Sequence, residues 1–400
     1  MESDITIIGA GIVGLATAYK ILEKKPGLKI HVLEKENTVS AHQTGNNSGV
    51  IHSGIYYKPG SLKARNCTYG YKLLLDFCDE NDITYDICGK VIIASDIEET
   101  PGMEVLYKRG IDNGLKGLKL LKKEELNDYE PHVVGLRGIW VPQTGIINFK
   151  KVSEKLAENI RQHGAEIYFG QKVQGIKIKN HEAHIDTPGQ SFKSRLVINC
   201  AGLYSDKIAR YTHQNVRVKI IPFRGEYYKI KPEKSHLVRN LIYPVPDTSF
   251  PFLGVHYTRM IDGGIEAGPN AVLAFAREGY KKTQINLPEL AETLAWPGFL
   301  KVASKYWKTG IGEMYRSFSK KAFTQALQKL IPEIEENDLE VGGAGVRAQA
   351  CDRSGGLLDD FLIYENERAI NVCNAPSPAA TSSLSIGETI AKKALDHINQ

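Results

Sequence analysis

A β-branched run, Ile5 to Ile8, opens the chain and stops at Gly9, after which the apolar positions move to helical spacing at Leu15, Ala18, Tyr19 and Leu22. A second apolar run follows from Lys29 to Leu33. Alternation between the strand and helix periods predicts strand, helix, strand. Beyond a loop rich in Ser, Asn and Gly (Ser40 to Gly54), a helix is expected from about Leu62 to Glu80, and strands at Lys90 to Ala94 and Gly138 to Val141. Val152, Leu156 and Ile160 mark an amphipathic helix that leads to strand-like Glu166 to Phe169 and Val173 to Ile178. The run Arg195 to Gly202, RLVINCAG, is nearly all apolar and fits a central parallel strand buried on both faces. Residues 216–341 carry strand signals first and a basic helix later; a short strand at Ala369 to Val372, the segment NAPSPAATSS and a helix from about Ser383 to Ile398 close the chain.

The first three elements carry chemistry. Gly9 permits the tight turn, Gly11 lets the backbone approach a pyrophosphate, and Gly14 lets helix pack on strand. The helix start, with Ile12 and Val13, presents unpaired N–H groups to phosphates. Glu34, followed by Lys35, stands twenty residues past Gly14, where an acid accepts hydrogen bonds from ribose hydroxyls. These are the parts of a βαβ dinucleotide fold in order. The apolar strand at RLVINCAG returns the chain to that cleft, bringing Ala201 and Gly202, with Val173 nearby. The expected fold is therefore α/β. A discontinuous Rossmann-like nucleotide domain (1–88, 150–215 and 345–400) carries an inserted α+β substrate domain (89–149 and 216–344) on a mixed or antiparallel sheet.

Composition narrows the class. With 42% hydrophobic and 24% charged residues, the chain reads as a soluble globular protein, and a formal charge of +5 over 400 residues does not call for nucleic acid. The six cysteines have no CxxC spacing, so neither a zinc site nor a disulfide scaffold is indicated. The uncharged stretch Ile5 to Tyr19 is too short to cross a bilayer and is broken by glycines. With a strand starting almost at Met1, a signal peptide, anchor or transit peptide is not expected, and the location expected is cytoplasmic.

Several longer blocks carry a resemblance: GAGIVG with Glu34, HQTGNNSGVIHSGIYY (His42 to Tyr57), CAGLYSD (Cys200 to Asp206), PFRGEYY (Pro222 to Tyr228), YPVPD (Tyr243 to Asp247), PFLGVHYT (Pro251 to Thr258), GPNAVLAF (Gly268 to Phe275), GVRAQA (Gly345 to Ala350) and NAPSPAATSS (Asn374 to Ser383). Together they resemble the L-2-hydroxyglutarate dehydrogenases and oxidases, which belong to the FAD-dependent enzymes shaped like D-amino-acid oxidase. The resemblance covers nearly the whole chain and departs at Asn46, where close relatives have His. It implies FAD as cofactor and oxidation of L-2-hydroxyglutarate to 2-oxoglutarate by hydride transfer. The order of elements also favours FAD over NAD, because the chain leaves the nucleotide domain and returns to it twice. Thr44, Asn47, Ser48 and Gly49 are small enough to lie against a flavin ring. A helix starting at Thr381, Ser382 and Ser383 can aim N–H groups at the flavin N1 and C2 carbonyl, where negative charge gathers on reduction.

Oxidising a 2-hydroxy acid requires an anchor for the carboxylate and a base for the hydroxyl proton. Arg347 and Arg224 are candidate anchors because guanidinium binds carboxylate bidentately. His256 and His52 are the candidate bases, with His256 favoured and His52 assigned a flavin-side or substrate contact. Tyr56, Tyr243 and Tyr257 are candidate hydrogen-bond donors to a carboxylate. His31, His132 and His163 receive no role. The basic stretch Trp296 to Lys329, with Trp296, Phe299 and Trp307 interleaved and Glu313 as its one acid, reads either as a solvated helical face or as a surface for anionic membrane. Electrons would go to oxygen in the first case and to a membrane quinone in the second. Competing readings are an amino-acid or glycerol-3-phosphate oxidase of the same shape, and a flavin or nucleotide-binding protein without turnover.

Overall fold

The structure, a computed structural model, describes residues 1–246 and 254–399. Asp247 of the YPVPD block and Pro251 to Leu253 of the PFLGVHYT block lie outside the described residues.

Two sheets organise the chain. In the first, Glu2–Ile8 lies between Ile30–Leu33 and Gln190–Asn199, parallel to both, and Ala369–Asn374 adds a further parallel strand beside Gln190–Asn199. The RLVINCAG run is thus central, with Leu196, Val197 and Ile198 all at most 1% exposed. Helix Ile12–Lys24 covers this sheet and packs against the C-terminal helix Ser383–Ile398. They meet closely because a small residue stands at the contact: a Cβ on Gly387 would lie 2.6 Å from the Ala16 carbonyl oxygen.

The second sheet is mixed. Lys90–Ala94 runs parallel to Leu241–Pro244 and antiparallel to Arg137–Val141, and Val218–Ile230 forms a long antiparallel pair with Leu339–Asp352. Strand Leu339–Asp352 stays in this sheet to its end. Residues 345–352, expected with the nucleotide segments, thus pair in the second sheet, as part of a continuous strand of 14 residues. A small sheet of Val50–Ile51, Gly145–Ile147 and Tyr85–Asp86 lies between the other two in the chain. A buried bidentate pair adds a tie from the CAG segment to the insertion: Arg277 Nη1 and Nη2 reach Asp206 Oδ1 and Oδ2 at 2.5 and 2.9 Å. Burial raises the cost of each charge, and the partner's charge and hydrogen bonds still hold the Asp206 carboxyl below its usual range.

The basic stretch resolves into helix Pro297–Phe318, kinked at Tyr306, and helix Lys320–Gln328. Trp296 and Phe299 are buried in a core cluster with Ile221, Val302 and Cys351, so two of the three interleaved aromatics are packing residues. Trp307 is exposed.

Candidate active site

The nucleotide loop is set by backbone contacts. Gly9 has φ +102°, and a Cβ there would lie 2.6 Å from the Cys200 carbonyl oxygen; a Cβ on Gly14 would overlap the Gly9 carbonyl oxygen. Gly11 differs, since a Cβ there would meet only Thr44 Oγ1, at 3.5 Å. Its Cα faces room that the protein itself does not use. Gly11 caps the helix without a side-chain hydrogen bond, and the Ile12 N–H donates to Thr44 Oγ1 at 3.1 Å. Val13 is half-buried against the nucleotide-domain core. Glu34, 8% exposed, is held by two backbone amides: Ala10 N–H donates to Oε2 at 2.8 Å and Glu36 N–H to Oε1 at 2.9 Å. Each oxygen keeps a lone pair for a further donor. Val173 packs with Ile8, Leu33 and, at its edge, Ala201. Ala201 N–H donates to Asn199 Oδ1, and Gly202 takes φ +51° beside Gln43.

Lys35, a sequence candidate for the nucleotide, is engaged by acidic side chains. Its ammonium is bonded to Glu36 and ion-paired with Glu278 at 2.8 Å, with His42 Nε2 also at 2.8 Å. This knot links the nucleotide domain to the insertion.

The loop after the first domain is self-supporting. Asn47 Nδ2 donates to Thr44 O at 2.6 Å, while its Oδ1 accepts from Gly49 N–H at 2.8 Å; Gly49 has φ +66°. Ser48 is hydrogen-bonded to Tyr227 of the second sheet. An open volume of about 440 Å³ lies between Thr44, Asn47 and Gly49 on one side and Met260 to Glu266, with Lys229, on the other. Thr381 Oγ1 accepts from His52 N–H at 3.1 Å. The Ser382 and Ser383 hydroxyls, at the N-terminus of the last helix, are buried and have no hydrogen-bond partner among the described residues. Unpartnered hydroxyls at a helix start and an unfilled space over Gly11 are what a bound dinucleotide with a polar ring would satisfy.

The second sheet supplies ionisable side chains. His256, 5% exposed, begins strand His256–Arg259 and stacks on Tyr243 with ring centroids 3.8 Å apart. Its Nδ1 lies 2.8 Å from the Gly254 carbonyl, which can only accept, so Nδ1 carries the proton and Nε2 keeps its lone pair. Burial, helped by the charges of Arg347 and Lys90, pushes the His256 pKa down to about 3 against the opposing Gly254 contact. His52 is pushed to about 3 by burial, then by Lys90 and His256. Arg347 is half-buried, its Nη1 3.5 Å from Asn270 O, and burial lowers its pKa although Tyr227 and Glu313 oppose this. Tyr56 has a buried hydroxyl without a partner among the described residues and a pKa pushed well up by burial. His52, Tyr56, Tyr227 and Arg347 all keep some accessible surface although burial dominates their shifts.

Two sequence candidates lie elsewhere. Arg224 is buried, with its guanidinium on Glu226 at 2.9 Å and Nη1 near Gly279 O at 3.4 Å; its cation already has an anion. Tyr257 is fully buried, and its hydroxyl donates to Leu327 O at 3.0 Å inside the core between sheet and helix. Sequence patterning passed over Lys90 and Tyr227. Lys90 is 1% exposed at the start of KVIIA. Its signal was phase: it shares alternation with inward Ile92 and Ala94, a position where a strand this buried takes an apolar residue.

Comparison with known proteins agrees with this geometry. The FAD dependent oxidoreductase family matches residues 4–393. An L-2-hydroxyglutarate dehydrogenase of Indibacter alkaliphilus is 61% identical, covering 99% of each chain. The mitochondrial L-2-hydroxyglutarate dehydrogenase of Homo sapiens is 44% identical over 97% of this chain and 88% of its own. Among solved structures, an L-alpha-glycerophosphate oxidase of Mycoplasma pneumoniae with FAD bound superposes with TM-score 0.80 at 23% identity, covering 100% of this chain and 95% of that one. A glycine oxidase of Geobacillus kaustophilus gives 0.75 at 15% identity, covering 99% and 95%. The fold is shared across those substrates, so it does not choose among them. With a glycine-rich βαβ loop, a family match over residues 4–393 and sequence identity across its length, the chain belongs to the FAD-dependent oxidoreductases of the D-amino-acid-oxidase type, in the L-2-hydroxyglutarate dehydrogenase family.

Proposed function

We propose that this enzyme oxidises L-2-hydroxyglutarate to 2-oxoglutarate. The observation that carries the reading is the His256 contact: Nδ1 lies on Gly254 O, which leaves the lone pair to Nε2, in an imidazole whose pKa burial lowers and which feels the Arg347 charge. Bound FAD supplies a two-electron acceptor for the hydride leaving C2 of the substrate. Arg347 binds the carboxylate next to that carbon, Tyr56 donates a hydrogen bond to the substrate, and Tyr243 fixes the imidazole plane by stacking. His256 Nε2 takes the hydroxyl proton as the carbonyl forms. His52 lines the cleft between them. Gly9, Gly11, Gly14, Ile12, Val13 and Glu34 hold the nucleotide, while Thr44 to Gly49 and Thr381 to Ser383 border the flavin. The name carried by relatives at 61% and 44% identity supports this substrate over the amines and glycerol phosphate of more distant structures. Anaerobic mixing of the yellow holoenzyme with L-2-hydroxyglutarate, its D-enantiomer, glycine and glycerol 3-phosphate tests it. Bleaching by the L-enantiomer alone is expected. A flavin left oxidised by L-2-hydroxyglutarate ends the reading.

For the acceptor, a membrane quinone is favoured over oxygen by one surface. After its kink, helix Pro297–Phe318 carries Trp307, Ile311, Tyr315 and Phe318 at helical spacing on one side, all more than half exposed. Lys305 and Lys308 stand beside them, and the Lys282 ammonium lies 5.1 Å from the Phe318 ring. Exposed apolar residues flanked by cations suit the interface of an anionic bilayer, each lysine adding about 1 kcal/mol. No helix among the described residues is long and apolar enough to cross a membrane. The enzyme is then peripheral, on the inner face. Flotation with phosphatidylglycerol vesicles at low salt should retain it, and Ile311→Glu should release it; absence of wild-type binding leaves oxygen as the acceptor.

A further inference from the structure

The proposed substrate carries two carboxylates, and the site so far provides one cation for them. Lys90 is a second cation. Among the described residues it makes no hydrogen bond and no ion pair; its ammonium lies 4.3 Å from the Tyr56 ring centroid and 4.8 Å from that of Tyr243. A buried ammonium without a counter-ion is costly, and two ring faces offset only part of that cost. Burial holds its pKa down to about 7. The rings that flank it belong to the site: Tyr243 stacks on His256, and the Tyr56 hydroxyl is buried without a partner among the described residues. Lys90 and Arg347 both act electrostatically on His256. Ammonium, tyrosine ring and imidazole therefore stand in sequence, with a guanidinium also within reach of the imidazole. A structural lysine in a core has its own carboxylate, as Arg224 has Glu226. Among the described residues Lys90 has none, which leaves its ammonium suited to a ligand's anion.

We propose that Lys90, with the Tyr56 hydroxyl, binds the distal carboxylate of a dicarboxylate 2-hydroxy acid and is the residue by which this enzyme separates diacids from monoacids. The proposal rests on the reading of the site as a 2-hydroxy-acid oxidase.

Lys90→Met keeps most of the stem and removes the charge. Stopped-flow flavin reduction compares L-2-hydroxyglutarate with L-2-hydroxyvalerate, which has the same chain length and no distal carboxylate. In the wild type, the diacid should win by about tenfold or more in apparent affinity, the range of a charged hydrogen bond. In Lys90→Met that preference should vanish through loss of diacid binding, with monoacid reduction retained; Lys90→Arg should keep part of it. An unchanged diacid preference in Lys90→Met overturns the proposal. So does a limiting rate that collapses for both substrates, which would make Lys90 the proton acceptor. Should the methionine variant lose its fold, the wild type still decides: glutarate should perturb the flavin spectrum at lower concentration than valerate, and equal affinities refute the anchor. A wild type that neither hydroxy acid reduces, yet prefers glutarate, would fail the proposed reaction and leave the cation site standing.

Discussion

The nucleotide loop and the substrate face solve different physical problems. Between Gly9 and Gly14 the molecule works by leaving atoms out, so that backbone approaches backbone and a ligand approaches both. On the substrate face it works by putting ionisable side chains where water would normally be needed, so that Lys90, His256 and Arg347 of the second sheet, and His52 after the small one, all have depressed pKa values with burial as the leading cause. The first region should fail through volume and the second through charge and proton position.

The largest effect expected is in the loop. Gly14→Ala places a Cβ into the Gly9 carbonyl, a backbone atom that cannot rotate away, so no folded yellow protein should be recovered. Gly11→Val should behave differently because its Cβ meets nothing closer than Thr44 Oγ1 at 3.5 Å. That variant should fold, with a melting temperature near that of the wild-type apoprotein, and purify colourless. Full FAD occupancy in Gly11→Val would remove the pyrophosphate from that position.

On the substrate face, His256→Ala should lower the rate of flavin reduction by about a hundredfold or more while substrate still perturbs the flavin spectrum, as expected for loss of a general base. Reduction at the wild-type rate would move that role to His52. Arg347→Lys keeps the charge but loses the bidentate fork, so it should raise KM by about tenfold or more and leave kcat closer to wild type. Arg224→Lys offers the contrast within the same pair of strands. Its partner is Glu226, so it should lower thermal stability and leave KM alone. An Arg224 variant with the larger KM effect would reverse the assignment of the two arginines.

The same contrast explains what could be read from sequence. The nucleotide loop is local: Gly9, Gly11, Gly14 and Glu34 fall within one βαβ unit, and their spacing is the geometry. The RLVINCAG run announced its place because a strand buried on both faces must be apolar throughout. The substrate face has no such locality. Lys90, Tyr243, His256 and Arg347 come from four strands that only the sheet brings together, and in sequence Arg224 has as good a claim as Arg347. Arg224 is committed to Glu226, two residues away on its own strand. Tyr257 looked like its neighbour His256, but adjacent strand residues point to opposite faces, and it went to the core. Lys90 was hidden for the opposite reason, since its place in an apolar strand reads as a strand boundary. Of the aromatics noted in the basic stretch, Trp296 and Phe299 pack inward and Trp307 is exposed, together with Ile311, Tyr315 and Phe318, which the sequence reading did not single out.

The smallest expected effect is an absence of change with pH, and it bears on the charge side of the comparison. An unperturbed imidazole titrates near pH 6.5, so a base of that kind loses roughly tenfold in rate by pH 5.5. His256, held to about pH 3 by burial and by the Arg347 and Lys90 charges, stays neutral throughout that range. The limiting rate of flavin reduction should therefore change by less than about twofold between pH 7.5 and 5.5. Stability should move where the rate does not. In the unfolded chain His52 and His256 take up protons near pH 6.5, whereas in the native chain both resist until about pH 3, so the unfolded state binds more protons between those limits. Their burial then costs nothing above pH 6.5 and progressively more below it, and the melting temperature should fall from pH 7 to pH 5 even as the surviving enzyme keeps its rate. A rate that declines with a midpoint near pH 6.5 would mean that the proton is taken by a histidine in ordinary contact with water, and neither His256 nor His52 fits that description.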